Sequence, residues 1–431
     1  MYKVGFCTLG CKVNQYETEV MSELFENKGY IISDFDDMCD VYVINTCTVT
    51  GTGDKKSRQM IRRAQKQNEN AVIAVVGCYS QVSPDAVKNI QGVNIVLGTK
   101  DKGKIAELVD DFIKTKENFI SVSDIMKLRT YEHIGLNNMS DKTRAFVKIE
   151  DGCTEFCSYC IIPYARGPVR SRDIDHLVRE VTSLSKKGYT EIVLTGIHIA
   201  SYGRDLKDKS LIDAIEAVCA VSGIKRVRIG SIEPRVLTED FIKRIRALDK
   251  VCDHFHISLQ SGCDATLKRM NRKYTADEYR HSAALLRKYY QNPSITTDII
   301  LGFPGETEEE FNTTLSFVRE ISFAEVHAFP YSNRKGTKAD TMPGQNSKAV
   351  KEERTKILIA EAKKCAEAYL NSFVGKTVNV LFEREIAENI YEGTTSNYIK
   401  VRVKSDTDIS HTYKDVVITN VCDGYAEGFN R

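Results

Sequence analysis

The sequence predicts an α/β protein of three units. Short apolar runs alternate with stretches of helical periodicity over residues 1–125, and the same alternation resumes over 143–371. Residues 372–431 change to closely spaced strand patterns separated by polar turns. The first unit therefore reads as an open, Rossmann-like parallel sheet, the second as a parallel (β/α) barrel, complete or partial, and the third as a small OB-like β-barrel. A chain of 431 residues is too long for one ordinary core, which agrees with this division.

In the first unit, residues 2–8, 41–45, 72–76 and 95–97 are apolar enough for buried parallel strands, and 14–28 and 55–67 carry helical spacing. Three of these strands are followed, just past their C-terminal ends, by a cysteine. These are Cys11 in Gly-Cys-Lys-Val-Asn-Gln, Cys47 in Asn-Thr-Cys-Thr-Val and Cys78 in Gly-Cys-Tyr-Ser-Gln. The carboxyl ends of strands in such a sheet share one rim, where ligands bind, so three thiols distant in sequence converge. The plainer alternative is three packed thiols, the reading given to Cys7 and Cys39. A polar stretch follows, read as a linker at 126–142. A strand at 146–150 leads into Asp151-Gly-Cys-Thr-Glu-Phe-Cys-Ser-Tyr-Cys160, and further strands end near Leu194, Gly230, Leu259, Leu301 and Pro330, with helices such as 174–187 and 308–321 between them. A long charged helix at 349–372 leaves the barrel, and 378–384, 398–403 and 416–421 read as antiparallel strands.

Hydrophobic residues at 42% and charged residues at 28% are the balance of a soluble globular chain, which sets aside disordered and membrane classes. The apolar runs are too short to span a bilayer and the N-terminus has no signal-peptide pattern, so a cytoplasmic protein is expected. Thirteen cysteines are then better read as metal ligands, reactive thiols and small buried residues than as disulfides. With a net charge of only +2, any nucleic-acid contact must come from local patches.

Cys153, Cys157 and Cys160 carry the strongest chemical signal. Their CxxxCxxC spacing lets one tight loop place three thiolates on one 4Fe-4S cluster and leaves an iron open to bind something else. A structural zinc site or an electron-transfer ferredoxin would ordinarily close with a fourth ligand. Tyr159, an aromatic just before the last cysteine, strengthens the open-iron reading.

Together with Gly10-Cys11-Lys-Val-Asn-Gln-Tyr-Glu-Thr-Glu19, Asn45-Thr-Cys47-Thr-Val, Gly77-Cys78-Tyr-Ser-Gln81 and the run from Cys153 to Gly167, this loop resembles the methylthiotransferases of the radical S-adenosylmethionine (SAM) superfamily, over the whole chain. The resemblance implies an auxiliary 4Fe-4S cluster on Cys11, Cys47 and Cys78, a SAM-binding 4Fe-4S cluster on Cys153, Cys157 and Cys160, a radical SAM barrel and an RNA-binding TRAM domain as the tail. It also implies SAM as cofactor, a flavodoxin- or ferredoxin-type electron donor, a sulfur donor and a tRNA anticodon stem-loop as substrate. A monomer is expected. The strings Lys12-Val-Asn-Gln-Tyr-Glu-Thr18 and Ile161 to Ser171 resemble most the branch that converts N6-threonylcarbamoyladenosine beside the anticodon to its 2-methylthio derivative. Alternatives are action on isopentenyladenosine or on a ribosomal-protein aspartate and, in another class, an RNA-binding iron-sulfur sensor without turnover.

SAM contacts are expected at barrel strand ends: Thr195, Gly196, Ser231, Glu233, Gln260, Ser261, Arg272 and Asp298. Each could instead make a hydrogen bond that orders the rim. Many radical SAM proteins read Gly-Gly-Glu where this chain has Leu194-Thr-Gly196, so the acid is missing there. The string Gly302-Phe-Pro-Gly-Glu306 reads as a turn. Candidate phosphate-binding groups are Lys55, Lys56, Arg58, Arg62, Arg63 and Lys66, then Arg166, Arg170 and Arg172, and in the otherwise acidic tail Lys400, Arg402 and Lys404. A solvated helix face is the plainer reading of the first set.

Overall fold

The structure is a computed structural model that describes residues 1–135 and 143–431; residues 136–142 of the expected linker lie outside the described residues. β1 (Lys3–Thr8), β2 (Ile31–Ser33), β3 (Val41–Thr46), β4 (Val72–Gly77), β5 (Val93–Leu97) and β6 (Phe119–Ser121) pair in parallel in the order β2-β1-β3-β4-β5-β6. β3 and β4 are buried along their whole length, as their unbroken apolar sequences require of strands covered on both faces. One face packs Met21, Phe25, Ile105 and Val109, and the other Ile61, Ala64 and Val87. β2 and β6, three residues each, were not expected; they are short edges that carry no apolar run of their own. Past β6, Ile125 and Tyr131 are buried, so this part of the polar stretch is anchored by two apolar side chains.

β7 (Arg144–Asp151), β9 (Glu191–Gly196) and β10 (Arg226–Ile229) form one parallel ladder, and the short β8 (Arg170–Ser171) pairs antiparallel with the far end of β7. β11 (His254–His256), β12 (Ser294–Leu301) and β13 (Glu325–Pro330) form a second parallel ladder. The bridges Val227–Val251 and Ile232–Ile257 join the two. Six parallel strands thus curl in chain order into a barrel left open between β7 and β13, the partial form of the two expected. Helices Ile174–Lys186, Leu211–Cys219, Ala276–Tyr289 and Glu308–Ile321 cover its outside in a single apolar core.

The tail is a closed five-stranded barrel, β14 (Thr377–Ala387), β15 (Ile390–Thr395), β16 (Lys400–Lys404), β17 (Tyr413–Cys422) and β18 (Tyr425–Asn430), in the order β14-β15-β16-β18-β17. The expected all-antiparallel set is corrected by β15 and β18 and by the parallel pairing of β16 with β18. Both unforeseen strands carry a glycine at a crowded crossing. A Cβ on Gly393 would stand 2.4 Å from the Leu381 carbonyl oxygen, so the residue that lets the barrel close also breaks the strand pattern.

The tail seals the N-terminal end of the large barrel. Arg226 donates to Asn379 O at 2.8 Å and Arg228 to Ser396 O at 3.0 Å, while Arg144 reaches Glu383. Burial works to raise Glu191 at the centre of these arginines, but Arg228, Arg144 and Arg226 hold its carboxyl below the usual range. The Tyr398 ring stacks on His254 at 4.8 Å, with Arg228 4.6 Å and Arg144 5.5 Å from its centroid. Tyr398→Ala should lower stability by about 1–3 kcal/mol in urea unfolding, because it removes two cation–π contacts and a stack. Tyr398→Phe should cost far less, since the ring makes these contacts; equal losses would show that the ring is not what holds the tail.

Candidate active site

The three cysteine loops of the first sheet are bound to one another by the polar residues beside each cysteine. Helix Lys12–Asn27 starts at Cys11, and Asn14 Nδ2 donates to Leu9 O at 2.6 Å and to Thr46 O at 3.0 Å. Asn45 Nδ2 donates to Asn14 O at 3.0 Å, and Thr46 Oγ1 donates to Val76 O at 2.6 Å and accepts from Tyr79 N at 3.2 Å. Gly77, at φ +99°, passes so close to the second loop that a Cβ would lie 2.7 Å from Asn45 Oδ1. A Cβ on Gly10 would lie 3.0 Å from Cys47 Sγ, which places the first two loops in contact. Burial pushes the Cys47 thiol up to about 11, and the nearby Cys78 and Cys11 thiols act in the same direction. The rim straddles the reversal of strand order between β1 and β3, the place where open α/β sheets bind ligands.

The second triad sits at the C-terminal end of β7. Gly152, at φ +91°, turns the chain where a Cβ would collide with Pro168 O, and Cys153 N donates to Gly167 O at 2.9 Å. The segment after helix Asp264–Arg269 holds the loop from the other side. Ser158 donates to Met270 O (through N, 3.0 Å) and to Arg269 O (through Oγ, 2.6 Å), and Asn271 Nδ2 donates to Phe156 O at 2.9 Å. Arg272 donates to Cys157 Sγ at 3.1 Å and to Glu233 Oε1 at 2.7 Å. Burial pushes Cys160 up to about 12. Bare thiols are therefore strongly disfavoured as anions here, a cost that a bound metal removes.

Sulfurs around one zinc ion stand about 3.8 Å apart, given zinc–sulfur bonds of about 2.3 Å. Among the described residues the one trio of cysteine, histidine or acidic ligand atoms lying wholly within 4.8 Å of one another is His256, Asp298 and His327. Neither cysteine triad has all three sulfurs within 4.8 Å of one another.

Buried contacts bring the loops of both triads to the join between the first sheet and the barrel. Arg334, just past β13, donates to Thr48 Oγ1 at 2.6 Å and to Asp54 Oδ2 at 2.8 Å, docking the Cys47 loop on the barrel's C-terminal rim. Arg166, fully buried on helix Ile162–Arg166 just after Cys160, donates through Nε to Cys78 Sγ at 3.3 Å and through Nη1 to Glu17 Oε1 at 2.6 Å. Glu17 also pairs with Lys102 and, at 3.1 Å, with Lys148. Burial alone would raise Glu17; Arg166, Lys102 and Lys148 together hold it well below the usual carboxylate range.

Of the residues expected to contact SAM, Arg272 and, through it, Glu233 adjoin the Cys157 loop. Glu233 lies between Arg272 and His198, whose Nε2 is 3.2 Å away. Ser231 Oγ shares a 2.8 Å hydrogen bond with Ser258, and Asp298 lies 3.4 Å from His256 Nε2. Thr195 is buried at the end of β9, and Gln260 is held through its backbone, its N–H donating to Asp298 O at 2.8 Å. Ser261 is turned away, its hydroxyl bonded to Thr314 on helix Glu308–Ile321 at 3.2 Å. Glu150 went unforeseen. Its Oε2 accepts from His198 N at 2.7 Å beside Gly196, Oε1 has no partner, and burial raises its carboxyl well above the usual range. An acid at the end of the strand Ala145-Phe-Val-Lys-Ile149 was the available signal.

The second basic set is corrected. Arg166, Arg170 and Arg172 are buried and paired internally, Arg172 with Glu180 at 2.7 Å and Arg170 with the Pro168 carbonyl at 2.7 Å, so they do not form a phosphate-binding surface. On helix Gly51–Gln67, Lys55, Lys56, Arg62, Arg63 and Lys66 are exposed, although Arg63 pairs with Asp36 and Arg58 is drawn to Tyr79. Lys400 and Lys404 are exposed on β16, while Arg402 between them pairs with Glu392 and lies 3.7 Å over the Tyr425 ring.

Residues 147–318 match the radical SAM superfamily, and residues 3–98 match the uncharacterized protein family UPF0004. The chain is 45% identical to the threonylcarbamoyladenosine tRNA methylthiotransferase MtaB of Bacillus subtilis, over 99% of this chain and 96% of that one. It belongs to the radical SAM methylthiotransferase family. The MtaB of Aquifex aeolicus is 36% identical over 93% of this chain and 96% of its own, and a tRNA-2-methylthio-N(6)-dimethylallyladenosine synthase of Clostridium tetani is 35% identical over 98% and 94%. Among solved structures, the radical SAM methyltransferase TsrM from Kitasatospora setae superposes with a TM-score of 0.58 at 13% identity, covering 79% of this chain and 77% of that one, a likeness of fold. No described helix of this methylthiotransferase is long and apolar enough to cross a membrane.

Glu17→Gln should destabilise the protein by about 3–5 kcal/mol, because it leaves three buried cations short of a counter-charge. Glu17's folded value is depressed, so the stability it lends is present at neutral pH and lost as pH falls below about 4.5 toward that value. Urea midpoints of wild type and variant should therefore converge on acidification; parallel pH curves would deny Glu17 this part.

Proposed function

We propose that this chain transfers a methylthio group to C2 of N6-threonylcarbamoyladenosine beside the anticodon of tRNA. The observation that carries this reading is the buried Arg166, which follows the Cys153–Cys160 loop and donates to Cys78 of the other triad, in a chain most of whose length aligns with MtaB enzymes. Cys153, Cys157 and Cys160 would hold the SAM-binding 4Fe-4S cluster, and Cys11, Cys47 and Cys78 the auxiliary one. When bound, these groups supply radical and sulfur chemistry at an aromatic carbon that no acid or base side chain deprotonates at neutral pH.

The protein's own part is to position and to shield. Arg272 and Arg166 each donate to one cysteine sulfur, which lowers the cost of negative charge there and fixes the loops. Glu150, whose Oε2 lies beside Gly196 and whose Oε1 is unpartnered, would supply the acidic group that the Leu-Thr-Gly strand end lacks, for the SAM amino group. Glu233, Ser231, Thr195, Gln260 and Asp298 line or order the same rim. Lys55, Lys56, Arg62 and Lys66 stand on the helix after the Cys47 loop, where they can neutralise anticodon-stem phosphates, and Lys400 and Lys404 offer a smaller second patch. The target base must leave the stacked loop to enter the site. The working form we infer is a cytoplasmic monomer served by a flavodoxin- or ferredoxin-type electron donor and a separate sulfur donor.

Two variants divide the labour. Cys157→Ala should abolish SAM cleavage, whereas Cys47→Ala should retain cleavage and lose methylthio transfer, read from nucleoside digests of a threonylcarbamoyl-bearing stem-loop. Anaerobically reconstituted protein should hold about eight irons, falling to about four when either triad is replaced by alanine. Loss of cleavage in both variants, with each still folded, would remove the assignment of separate roles.

A further inference from the structure

The Cys153–Cys160 loop carries two aromatic residues, and the fold treats them oppositely. Tyr159 turns inward and meets Phe303 edge to face at 6.4 Å, against the small cluster that also holds Met270 and Tyr331. Phe156, which immediately precedes Cys157, is turned outward and is 39% exposed. Its backbone sits at φ +47°, in the left-handed region where glycine or asparagine is usual and a bulky side chain is an outlier. Neither apolar burial nor backbone preference accounts for a phenylalanine there. The strained turn is nevertheless fixed. Asn271 Nδ2 donates to Phe156 O at 2.9 Å, and Ser158 is tied to Arg269 and Met270. Strain held in place beside a cysteine of the triad points to use of the side chain.

The ring has a partner and a charged setting. Tyr164, 47% exposed on helix Ile162–Arg166, meets it edge to face, with centroids 5.8 Å apart and planes at 72°. An edge-to-face pair leaves ring faces open to a third flat group. Two cations border the pair. Exposed Lys273 donates to Asn271 Oδ1 at 2.7 Å, on the side chain that holds Phe156, and half-exposed Arg204 pairs with Glu155 at 2.6 Å. Open aromatic faces with flanking cations are the pattern by which proteins hold unstacked bases and their phosphates. A protein partner, even a transient one, covers on the order of 500 Å² of each surface. Two rings match instead the scale of a few bases.

We propose that Phe156 and Tyr164 form a stacking platform for the unpaired nucleobases that flank the target adenosine in the anticodon loop. This rests on the tRNA reading above, but not on the threonylcarbamoyl group, which the platform does not touch. Extruding the target base uncovers the faces of its neighbours, and the two rings restore that lost stacking beside the Cys157 loop.

The test uses reconstituted holoenzyme and synthetic anticodon stem-loops, with Kd read by fluorescence anisotropy and iron content showing that the cysteine loop is intact. Phe156→Asn removes the ring and suits the left-handed backbone, so urea stability should hold or rise while affinity falls about tenfold, the worth of one base–aromatic stack. Tyr164→Ala should weaken binding by a similar factor, and Phe156→Trp should keep wild-type affinity. An abasic nucleotide at one position beside the target should cost wild type the same factor and the ring-deleted variants nothing further. Wild-type affinity in the ring-deleted variants would overturn the platform. So would intact RNA binding with slowed reduction by flavodoxin but not by dithionite, which would give this face to the electron donor. Should Phe156→Asn fail to hold iron, Tyr164→Ala, outside the cysteine loop, still decides. If wild type leaves the threonylcarbamoyl stem-loop unmodified, the substrate reading falls, and the platform, read from Kd, stands or falls on its own.

Discussion

The join between the first sheet and the barrel depends on the buried charge cluster around Glu17 and Arg166. Arg166 leaves the loop of one cysteine triad, touches a sulfur of the other and ends on a carboxylate of the helix that starts at Cys11. Lys102, Lys148 and Asp151 complete the cluster with less than a tenth of each side chain exposed. Apolar packing could join the first sheet to the barrel as strongly, since a buried ion pair is often no better than well-packed hydrocarbon. What it could not do is specify one relative position, because apolar surfaces tolerate sliding and buried charges do not. We read the cluster as a registry device that sets the two cysteine-bearing loops at a fixed separation.

The same cluster bears on the charge of the rims. Lys102, Lys148, Arg166 and Arg170 are four buried cations against the carboxylates of Glu17 and Asp151, and neighbouring Glu132 is pushed by burial toward its neutral form. The surplus positive charge lies against Cys78. A thiol buried there would otherwise resist ionisation, and Arg166 acts in the opposite direction to that burial. Holding the domains together and making the auxiliary rim hospitable to thiolates are one arrangement of charges.

Much of this was legible in the sequence, for identifiable reasons. The strands that lead to Cys47 and Cys78 are apolar and buried along their whole length, and the one that leads to Cys11 runs parallel beside them, so the placing of all three cysteines past one edge of the sheet followed from topology. The second triad was legible because its ligands share one loop. Arg166, Arg170 and Arg172 were misread as a surface patch because a run of basic residues has the same appearance whether its partners are water or distant carboxylates. The partner of Arg166 is 149 residues away, and that of Lys102 is 85. Glu17 falls within a helical pattern that any surface glutamate would satisfy. In the tail, Gly393 and Gly428 hid two strands, since the close approach that closes the barrel removes the side chains by which a strand is recognised.

The placement of the three units also explains why the barrel can remain open between β7 and β13. A barrel interior this polar cannot be filled by stacked aliphatic layers, so both ends need covers that answer its charges. At the N-terminal end the cover is the tail, whose backbone carbonyls at Asn379, Thr394 and Ser396 accept from Arg226 and Arg228 while Tyr398 lies over His254. At the C-terminal end the cover is the first sheet, which answers Arg334 with Thr48 and Asp54, and Arg166 and Lys148 with Glu17. The exposed lysines and arginines of helix Gly51–Gln67 follow Cys47 directly in the chain, so that cysteine and the positive surface beside it are built from one strand-to-helix connection.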